Sequence, residues 1–432
     1  MDDVQPRDGV FRPHPDRAAI VAEMHTRPAP HLQAPAQVSH VAMLSGRGGD
    51  AVERQLLAEL CASYGALPPG ETALHHVAQI GQLELRWERH TEFSTLMVVR
   101  EGPFAQPFVD PPIRVLPEQW LARLPGQLVE ASHLAVLGAD VPTPTRDQLV
   151  QMFEGHHLMG GRVLGEQVRI WTGLRLHGDG FGRILIADAG YDATRMGRFV
   201  QRALELETYR LMALLGLTAA RRLVSTIDDM ESGMLDLTVR TAAGGGHDEE
   251  REVLDQLSQL AVLQARHLAD NAYRFGATHA YAELVNDRLR RLKLERDHET
   301  EPLGSFLERR FEPAMRTCQA VEARMETLGQ RINAASDMLR TRVDMAVQEQ
   351  NQKLLTSMDR RARLQLRLQQ TVEGLSVAAI SYYVLGLLSY LLKGFSGVLG
   401  TTTVNVVLGL AAPLVLISIF LGVRRLRSRL GH

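Results

Sequence analysis

Two long runs without a charged residue lie near the C-terminal end, and they constrain the fold more than any other feature. The first covers Leu375–Leu392, between Glu373 and Lys393, and the second covers Gly394–Val423, with its most apolar part at Val404–Val423. Each is long enough to cross a hydrocarbon layer of about 30 Å, because a helix rises about 1.5 Å per residue. A buried helix of a soluble protein would explain one such run, but two adjacent runs predict a transmembrane hairpin.

Basic residues flank this hairpin on its outer sides. Lys393 is the one basic residue between the two spans, whereas four arginines stand before the first span and four after the second: Arg360, Arg361, Arg363, Arg367, Arg424, Arg425, Arg427 and Arg429. Since basic residues stay on the cytoplasmic side, we expect both chain ends inside and the short loop outside. The first thirty residues hold no long apolar run of the signal-peptide type, so we expect the N-terminal region in the cytosol.

A long helical stalk is predicted before the hairpin, from Pro313 to Thr371. Two apolar series recur along it at heptad spacing: Cys318, Met325, Ile332, Leu339 and Ala346, and Ala314, Val321, Leu328 and Ala335. This spacing indicates a seam between packed helices. The partner is either the preceding helices, near Arg195–Thr238 and Glu249–Glu299, or other copies of the chain. The two alternatives are compatible.

The first 190 residues show short β-type runs between glycines and prolines. Strands are expected at Val38–Leu44, Leu74–Ile80, Leu83–Glu88, Ser94–Arg100, Leu134–Leu137, Gln167–Leu176 and Arg183–Ala187, and helices at Pro15–Met24, Asp50–Tyr64 and Pro117–Leu128. The fold class is therefore α+β, with a mixed-sheet N-terminal domain. The expected divisions are 1–190 for the cytosolic domain, 191–312 for a helical domain, 313–373 for the stalk, 374–393 for the first span, 394–403 for an external loop, 404–423 for the second span and 424–432 for a basic tail.

The search for chemistry gives mostly negative results. A net charge of −2 offers no attraction to nucleic acid, and the sixteen histidines form neither an HExxH motif nor a zinc-type group with cysteine. We therefore predict no nucleic-acid partner and no cofactor, and metal binding stays open. Gly178, Gly180 and Gly182 stand between two strand-like segments, which indicates a hairpin turn rather than a phosphate loop. No catalytic motif is present, so an enzyme is not expected; Cys61 and Cys318 are expected to be free thiols.

Two groups of polar residues are candidate sites. The segments EMHTRP and WERHTEFST bring polar and aromatic residues close to a predicted junction of two strands, and the cluster chosen from them is His25, Arg27, Trp87, His90 and Glu92. It either anchors sheet to loop or binds a ligand or ion. In the first span Ser376, Tyr383 and Tyr390 recur at heptad spacing, which predicts a hydroxyl stripe directed at protein or water rather than lipid. The stripe serves either contacts between helices or a pore.

Long segments of the sequence resemble a bacterial family. They include EMHTRPAPHLQAPAQVSHVA, WERHTEFST, ELETYRLMALL, FLERRFEPAMRTC and QNQKLLTSMDRRARLQLRLQQTVEGLSVAAISYYVLGL. The family is one of uncharacterised membrane-anchored proteins, known as a domain of unknown function, number thirty-four twenty-two. The resemblance implies an anchor in the bacterial inner membrane and supplies no activity, cofactor or catalytic residue. The order of domains also resembles that of CorA-type divalent-cation channels, which implies a homo-oligomer, but SYLLKGF stands where their Gly-Met-Asn signature is expected.

These observations lead to two expectations about function. The first is a membrane-anchored protein whose cytosolic domain has a regulatory, scaffolding or ligand-sensing role. The alternative is a CorA-like channel or transporter in which the first span lines the pore. Both place the chain in a lipid bilayer, favour a homo-oligomer, and leave the ion or cytosolic partner unidentified.

Overall fold

A computed structural model describes residues 14–17, 20–21, 29–163, 165–166, 168–188, 190–297, 300–394 and 401–430. The strands are β1 (Ala36–Leu44), β2 (His75–Ile80), β3 (Leu83–Arg89), β4 (Ser94–Glu101), β5 (Gln127–Leu137), β6 (Met159–Val163), β7 (Arg169–Thr172), β8 (Gly182–Ala187), β9 (Leu294–Glu295) and β10 (Glu301–Pro302). The helices are α1 (Asp50–Ser63), α2 (Glu118–Leu121), α3 (Arg146–Met152), α4 (Ala193–Ala243), α5 (His247–Leu292), α6 (Leu303–Gly394) and α7 (Thr401–Leu430).

Within the described residues the strands form one sheet of ten. Its order is β10-β6-β7-β8-β5-β1-β4-β3-β2, and β9 pairs with β6 off this path. β5 pairs with β8 in parallel and β6 pairs with β10 in parallel, whereas the other pairs are antiparallel. The mixed sheet and the long helices confirm the predicted α+β class.

One face of this sheet carries the apolar core and packs against α1. Successive strand residues point to opposite faces, so Val41, Leu96 and Ala131 share this side. They form one buried cluster with Leu56 and Leu57 of α1. A second cluster continues the core under α3, around Phe153, Trp171 and Leu185. We call this side the α1 face.

The opposite side of the sheet, the α4 face, lies under the first long helix. A side chain at Gly197 of α4 would collide with the Pro30 carbonyl, so glycine permits the chain that leads into β1 to lie directly on the helix. Gly216 does the same between α4 and α5, where a Cβ would collide with Thr278. The Thr278 hydroxyl donates to the Ala213 carbonyl at 3.3 Å, which joins the two helices.

Three expectations about secondary structure were wrong. The helix predicted at Pro117–Leu128 ends at Leu121, and Leu128 already belongs to β5. Part of the segment assigned to the helical domain 191–312 forms β9 and β10, which pair with β6. These strands have two residues each and are too short to show an alternating pattern. They lie in the connection between α5 and α6, which brings them to the edge of the sheet.

The long helix α6 begins ten residues earlier than predicted. Pro313 lies inside it, because Leu303, Leu307 and Phe311 extend the buried apolar spacing toward the N-terminus. Pro313 itself is exposed, so the carbonyl group that loses its partner can reach water. The predicted seam is buried at Cys318, Val321, Met325, Leu328, Ile332 and Leu339.

The chain divides into two compact units that share the long helices. One unit contains Met1–Arg240 and Gln256–Ala335, and the other contains Thr241–Asp255 and Ser336–His432. In the first unit, Gln264 of α5 donates to the Met325 carbonyl of α6 at 2.9 Å, so the seam there is covered by the chain's own helices.

The second unit contains two helices that are long and apolar enough to cross a membrane. They are α6 at its C-terminal end, with a mean hydropathy of 1.8, and Val404–Val423, with 2.7. Only 11% and 0% of these apolar windows are buried, unlike the core helix of a soluble protein. Both helices are therefore candidate membrane spans, which suggests membrane association. Most of the predicted external loop 394–403 lies outside the described residues.

Candidate functional site

Polar residues line the α4 face of the sheet where an apolar lining is expected. His40 on β1 faces Ser132 on β5 and Met97 on β4, and Met97 in turn faces Arg86 on β3. His40, Ser132 and Arg86 are all at most 7% exposed. Buried arginine and histidine require partners, and Arg86 pairs with Glu84 at 3.1 Å and His40 with Glu130 at 2.6 Å.

A pocket opens between these strands and α4. Its space for water-sized molecules is about 50 Å³, within about 500 Å³ of empty volume that includes open solvent. The sheet supplies its floor and one side of α4 supplies its wall, with these lining residues: Pro30, His40, Arg86, Glu88, His90, Phe93, Thr95, Met97, Gln201, Leu204, Glu205, Thr208 and Tyr209. Aliphatic and aromatic walls with a few converging charged groups are typical of small-molecule sites.

A buried carboxylate supports the pocket from behind. The Oε2 of Glu130 lies 2.6 Å from the Nδ1 of His40, within hydrogen-bond distance, and both side chains are almost fully buried. Its other oxygen, Oε1, has no hydrogen-bond partner among the described residues. The Glu207–Arg210 ion pair on α4 is close enough for Glu130 to act on it: burial lowers the pKa of Arg210, but Glu207 and then Glu130 raise it above its usual value.

The β3–β4 turn closes one end of the pocket and ties it to the helices. His90 stacks on Phe93 with ring centroids 4.2 Å apart, and Phe93 meets the edge of Tyr281 on α5. Glu92 pairs through both oxygens with Arg274 of α5. Burial, and next the adjacent Glu92, raise the pKa of Tyr281 well above its usual range. The turn is therefore held rigidly beside the pocket.

The predicted polar cluster is distributed over several places. His90 lines the pocket and Glu92 clamps the turn, whereas Trp87 lies on the α1 face. There the Trp87 Nε1 donates to Glu53 of α1 at 2.9 Å. His25 and Arg27 lie outside the described residues.

Several residues that line the pocket or lie behind it were absent from the sequence predictions. His40 was noted only for its proline-rich neighbourhood, and Arg86, Glu130, Gln201 and Glu205 were not singled out. The sequence signal was that charged residues alternate with apolar residues along the strands, which places the charged residues on one face of the sheet. It becomes informative only when the register is known.

Two histidines, His156 and His177, lie close together on the α1 face beside the β7–β8 hairpin. Burial and the charge of Arg183 lower the pKa of His177, whose ring lies 4.7 Å from that of His156. Arg183 pairs with Glu154 at 2.7 Å, so the charges there already compensate each other. The hairpin itself confirms the predicted role of Gly178, Gly180 and Gly182. Within the described part of the chain, no three His, Cys, Asp or Glu residues are placed to hold a metal ion.

The hydroxyl stripe of the first span lies on its exposed side. Ser376 is exposed, and Tyr383 and Tyr390 are 70% and 79% exposed. The buried residues of this span, Val377 and Ser381, lie on the other side of the helix. Of the arginines expected to fix the topology, Arg360, Arg361, Arg363, Arg367 and Arg425 are exposed, and the side chains of Arg424, Arg427 and Arg429 are outside the description.

A mixed-sheet domain with a polar pocket, long helices and two apolar helices define an α+β protein with two candidate membrane spans. A family model with the description "Protein of unknown function (DUF3422)" matches residues 12–430. The chain belongs to this family, which confirms the resemblance seen in its sequence. Neither the curated proteins nor the solved structures contain a match. The resemblance to CorA-type channels is therefore unsupported.

Proposed function

We propose that this protein is a membrane-anchored ligand sensor whose pocket on the α4 face binds a small polar molecule. The observation that carries the proposal is the convergence of Arg86, His40 and Glu205 on one pocket, with the open oxygen of Glu130 behind it. Arg86 is paired with Glu84, His40 with Glu130 and Glu205 with Arg288, and a small polar ligand would add hydrogen bonds to these groups. A regulatory or scaffolding role follows when the bound state alters contacts with a cytosolic partner. Catalysis is not part of the proposal.

The hairpin serves as the anchor in this proposal. We place both chain ends on the cytoplasmic side of a bacterial inner membrane, because the arginines flank the spans on their outer sides. The test is a cysteine introduced as Val398→Cys in intact spheroplasts. We expect an impermeant maleimide to label it from outside, and labelling only after lysis would contradict this orientation.

The pocket is tested by thermal unfolding of the full-length chain in detergent. The probes are a panel of nucleotides, amino acids and dicarboxylates. We expect at least one probe to raise the unfolding midpoint of the wild type, and Arg86→Met and Gln201→Trp to abolish the shift by removing a charge and by filling the pocket. Arg123→Met is the matched control, because Arg123 is an exposed arginine that pairs with Glu59. Equal shifts in all four proteins would contradict the proposal.

The alternative function is an ion channel or transporter with the first span along its pore. The exposed stripe of Ser376, Tyr383 and Tyr390 favours it, because hydroxyl groups on the outer face of a hairpin suit a water-filled path between copies. The experiment is dye-reported flux of Mg²⁺, Co²⁺ and K⁺ into liposomes. Flux that Tyr383→Leu reduces would support the channel, and impermeability to all three ions would rule out these cargoes.

A further inference from the structure

The part of α6 from position 347 to 372 is exposed at every residue. A single helix of this length is not stabilised by its own hydrogen bonds alone, and helices of folded proteins bury one face against a partner. The segment also exposes apolar side chains that could pack against a partner, such as Leu354, Met358 and Val372.

Part of the apolar and uncharged residues of this segment fall on one line, whereas Leu364 and Leu366 lie about 100° from it. At about 3.6 residues per turn, positions eighteen apart stand directly above one another, so Val347, Gln365 and Tyr383 define a straight row. Leu354, Val372 and Tyr390 lie within about 60° of it. We call these six residues the Tyr383 face. It runs from the stalk into the membrane.

The charges of the segment stand on the other side of the helix. Lys353, Arg360, Arg363 and Arg367 all lie more than about 90° from the row, at about 100° per residue. Over the described run 347–394, Arg361 is the single charge within about 60° of it; it lies about 40° from the row, beside the line of Leu354. An uncharged face opposite a charged one is the pattern of a helix that packs along its length.

The second span does not cover the Tyr383 face. The first span buries Val377 and Ser381, which lie more than about 90° from the row of Tyr383. Tyr383 is near the middle of the apolar run, so its hydroxyl group cannot reach the headgroup region easily. Because an unpaired hydroxyl is costly in hydrocarbon, protein or water must meet this face.

We infer that the Tyr383 face of α6 docks against the Tyr383 face of a second copy of this chain, parallel and in register. The partner needs an unbroken helix that passes from the cytosolic stalk into the membrane, and α6 is such a helix. The membrane spans fix the orientation of α6 and its depth in the membrane. Two copies in one membrane therefore meet with Gln365 beside Gln365 and Tyr383 beside Tyr383. The basic residues Arg360, Arg363 and Arg367 then remain outside the contact, and Arg361 is the one arginine beside it. This interface does not depend on whether the pocket binds a ligand; it excludes a water-filled path along Tyr383 and Tyr390.

Cysteine cross-linking of the full-length chain in native membranes tests the interface. Leu354→Cys, Gln365→Cys and Tyr383→Cys probe the face, and Arg360→Cys and Arg363→Cys are equally exposed controls on the opposite side. We expect mild oxidation to give several-fold more covalent dimer at the face positions than at the controls. The native Cys61 and Cys318 form a silent background, since both are buried and burial raises the pKa of each thiol.

The cross-linking results distinguish a second copy of this chain from a different partner at the Tyr383 face. Dimer of equal yield at face and control positions, or no dimer at any of them, would overturn the proposal. Protection of Gln365→Cys from maleimide without dimer formation would identify a different partner and would also overturn it. Gln365→Cys lies outside the membrane run and on an exposed site, so its result does not depend on correct folding of a Tyr383 variant.

Discussion

Two glutamates, Glu53 and Glu130, are buried to the same degree on opposite faces of the sheet, each 1% exposed. On the α1 face both oxygens of Glu53 are used: one accepts from Trp87 at 2.9 Å and the other from Ser94 at 2.8 Å. Arg89 adds a positive charge 3.5 Å away. On the α4 face Glu130 has only His40, and one of its oxygens has no partner among the described residues.

The difference separates a structural carboxylate from a functional one. Glu53 joins α1 to β3 and β4, and its partners leave nothing for a ligand to complete. An unsatisfied buried acceptor such as that of Glu130 costs about 1–3 kcal/mol. Its retention beside a pocket is consistent with a site whose hydrogen bonds are completed by a bound molecule or ordered water.

The largest effect is expected from Glu53→Gln. The amide group would face the donors Trp87 and Ser94, and the buried Arg89 would lose its countercharge, so we expect a loss of about 3 kcal/mol in the free energy of unfolding. Circular dichroism of the detergent-solubilised chain should show the thermal midpoint fall by several degrees.

The matched control is Glu59→Gln on the same helix. Glu59 is exposed and pairs with Arg123, and such pairs contribute little to stability. We expect its midpoint to equal that of the wild type. A fall of equal size for both variants would show that Glu53 is not a special node.

Glu53 also shows where sequence reasoning stops. An acidic residue in the first turn of a helix looks like an exposed group that favours the helix dipole, and only the fold places Trp87 and Arg89 over it. Glu130 precedes the short strand predicted at Leu134–Leu137, so its face could not be assigned. In contrast, the buried positions Cys318, Met325 and Ile332 were predicted, because the seven-residue spacing is written in the sequence itself.

The second largest effect is a dependence of stability on pH through His133 on the α1 face. Burial lowers the pKa of His133 to about 4 from 6.5; Asp179 raises it and Arg183 and Arg114 lower it further. The unfolded chain therefore takes up a proton at a higher pH than the native protein does. Stability is full above about pH 6.5 and is lost as the pH falls toward 4, by about 3 kcal/mol for this shift.

The measurement is the thermal midpoint of the wild type and of His133→Asn between pH 4 and 7. Asparagine keeps a group near Nδ1 that can bond to the Ser39 hydroxyl, which is 3.0 Å from that nitrogen. We expect a shallower slope in the variant. Burial also lowers the pKa of His76 and His177, so part of the slope should remain. Identical slopes would show that His133 does not control the acid sensitivity.

The smallest effect on stability, and the sharpest on function, is expected from Glu130→Gln. The amide oxygen can still accept from His40, so the loss is the charge contribution to this hydrogen bond and the attraction to Arg210, about 1 kcal/mol. The position of the unpartnered Oε1 of Glu130, however, is then occupied by an amide NH₂ group, which donates hydrogen bonds and carries no charge. Probe-induced stabilisation should therefore disappear while the unliganded midpoint changes little. If Glu130→Gln instead destabilised the chain as much as Glu53→Gln and kept the response to the probe, the two carboxylates would both be structural, and the pocket would have to bind its ligand without Glu130.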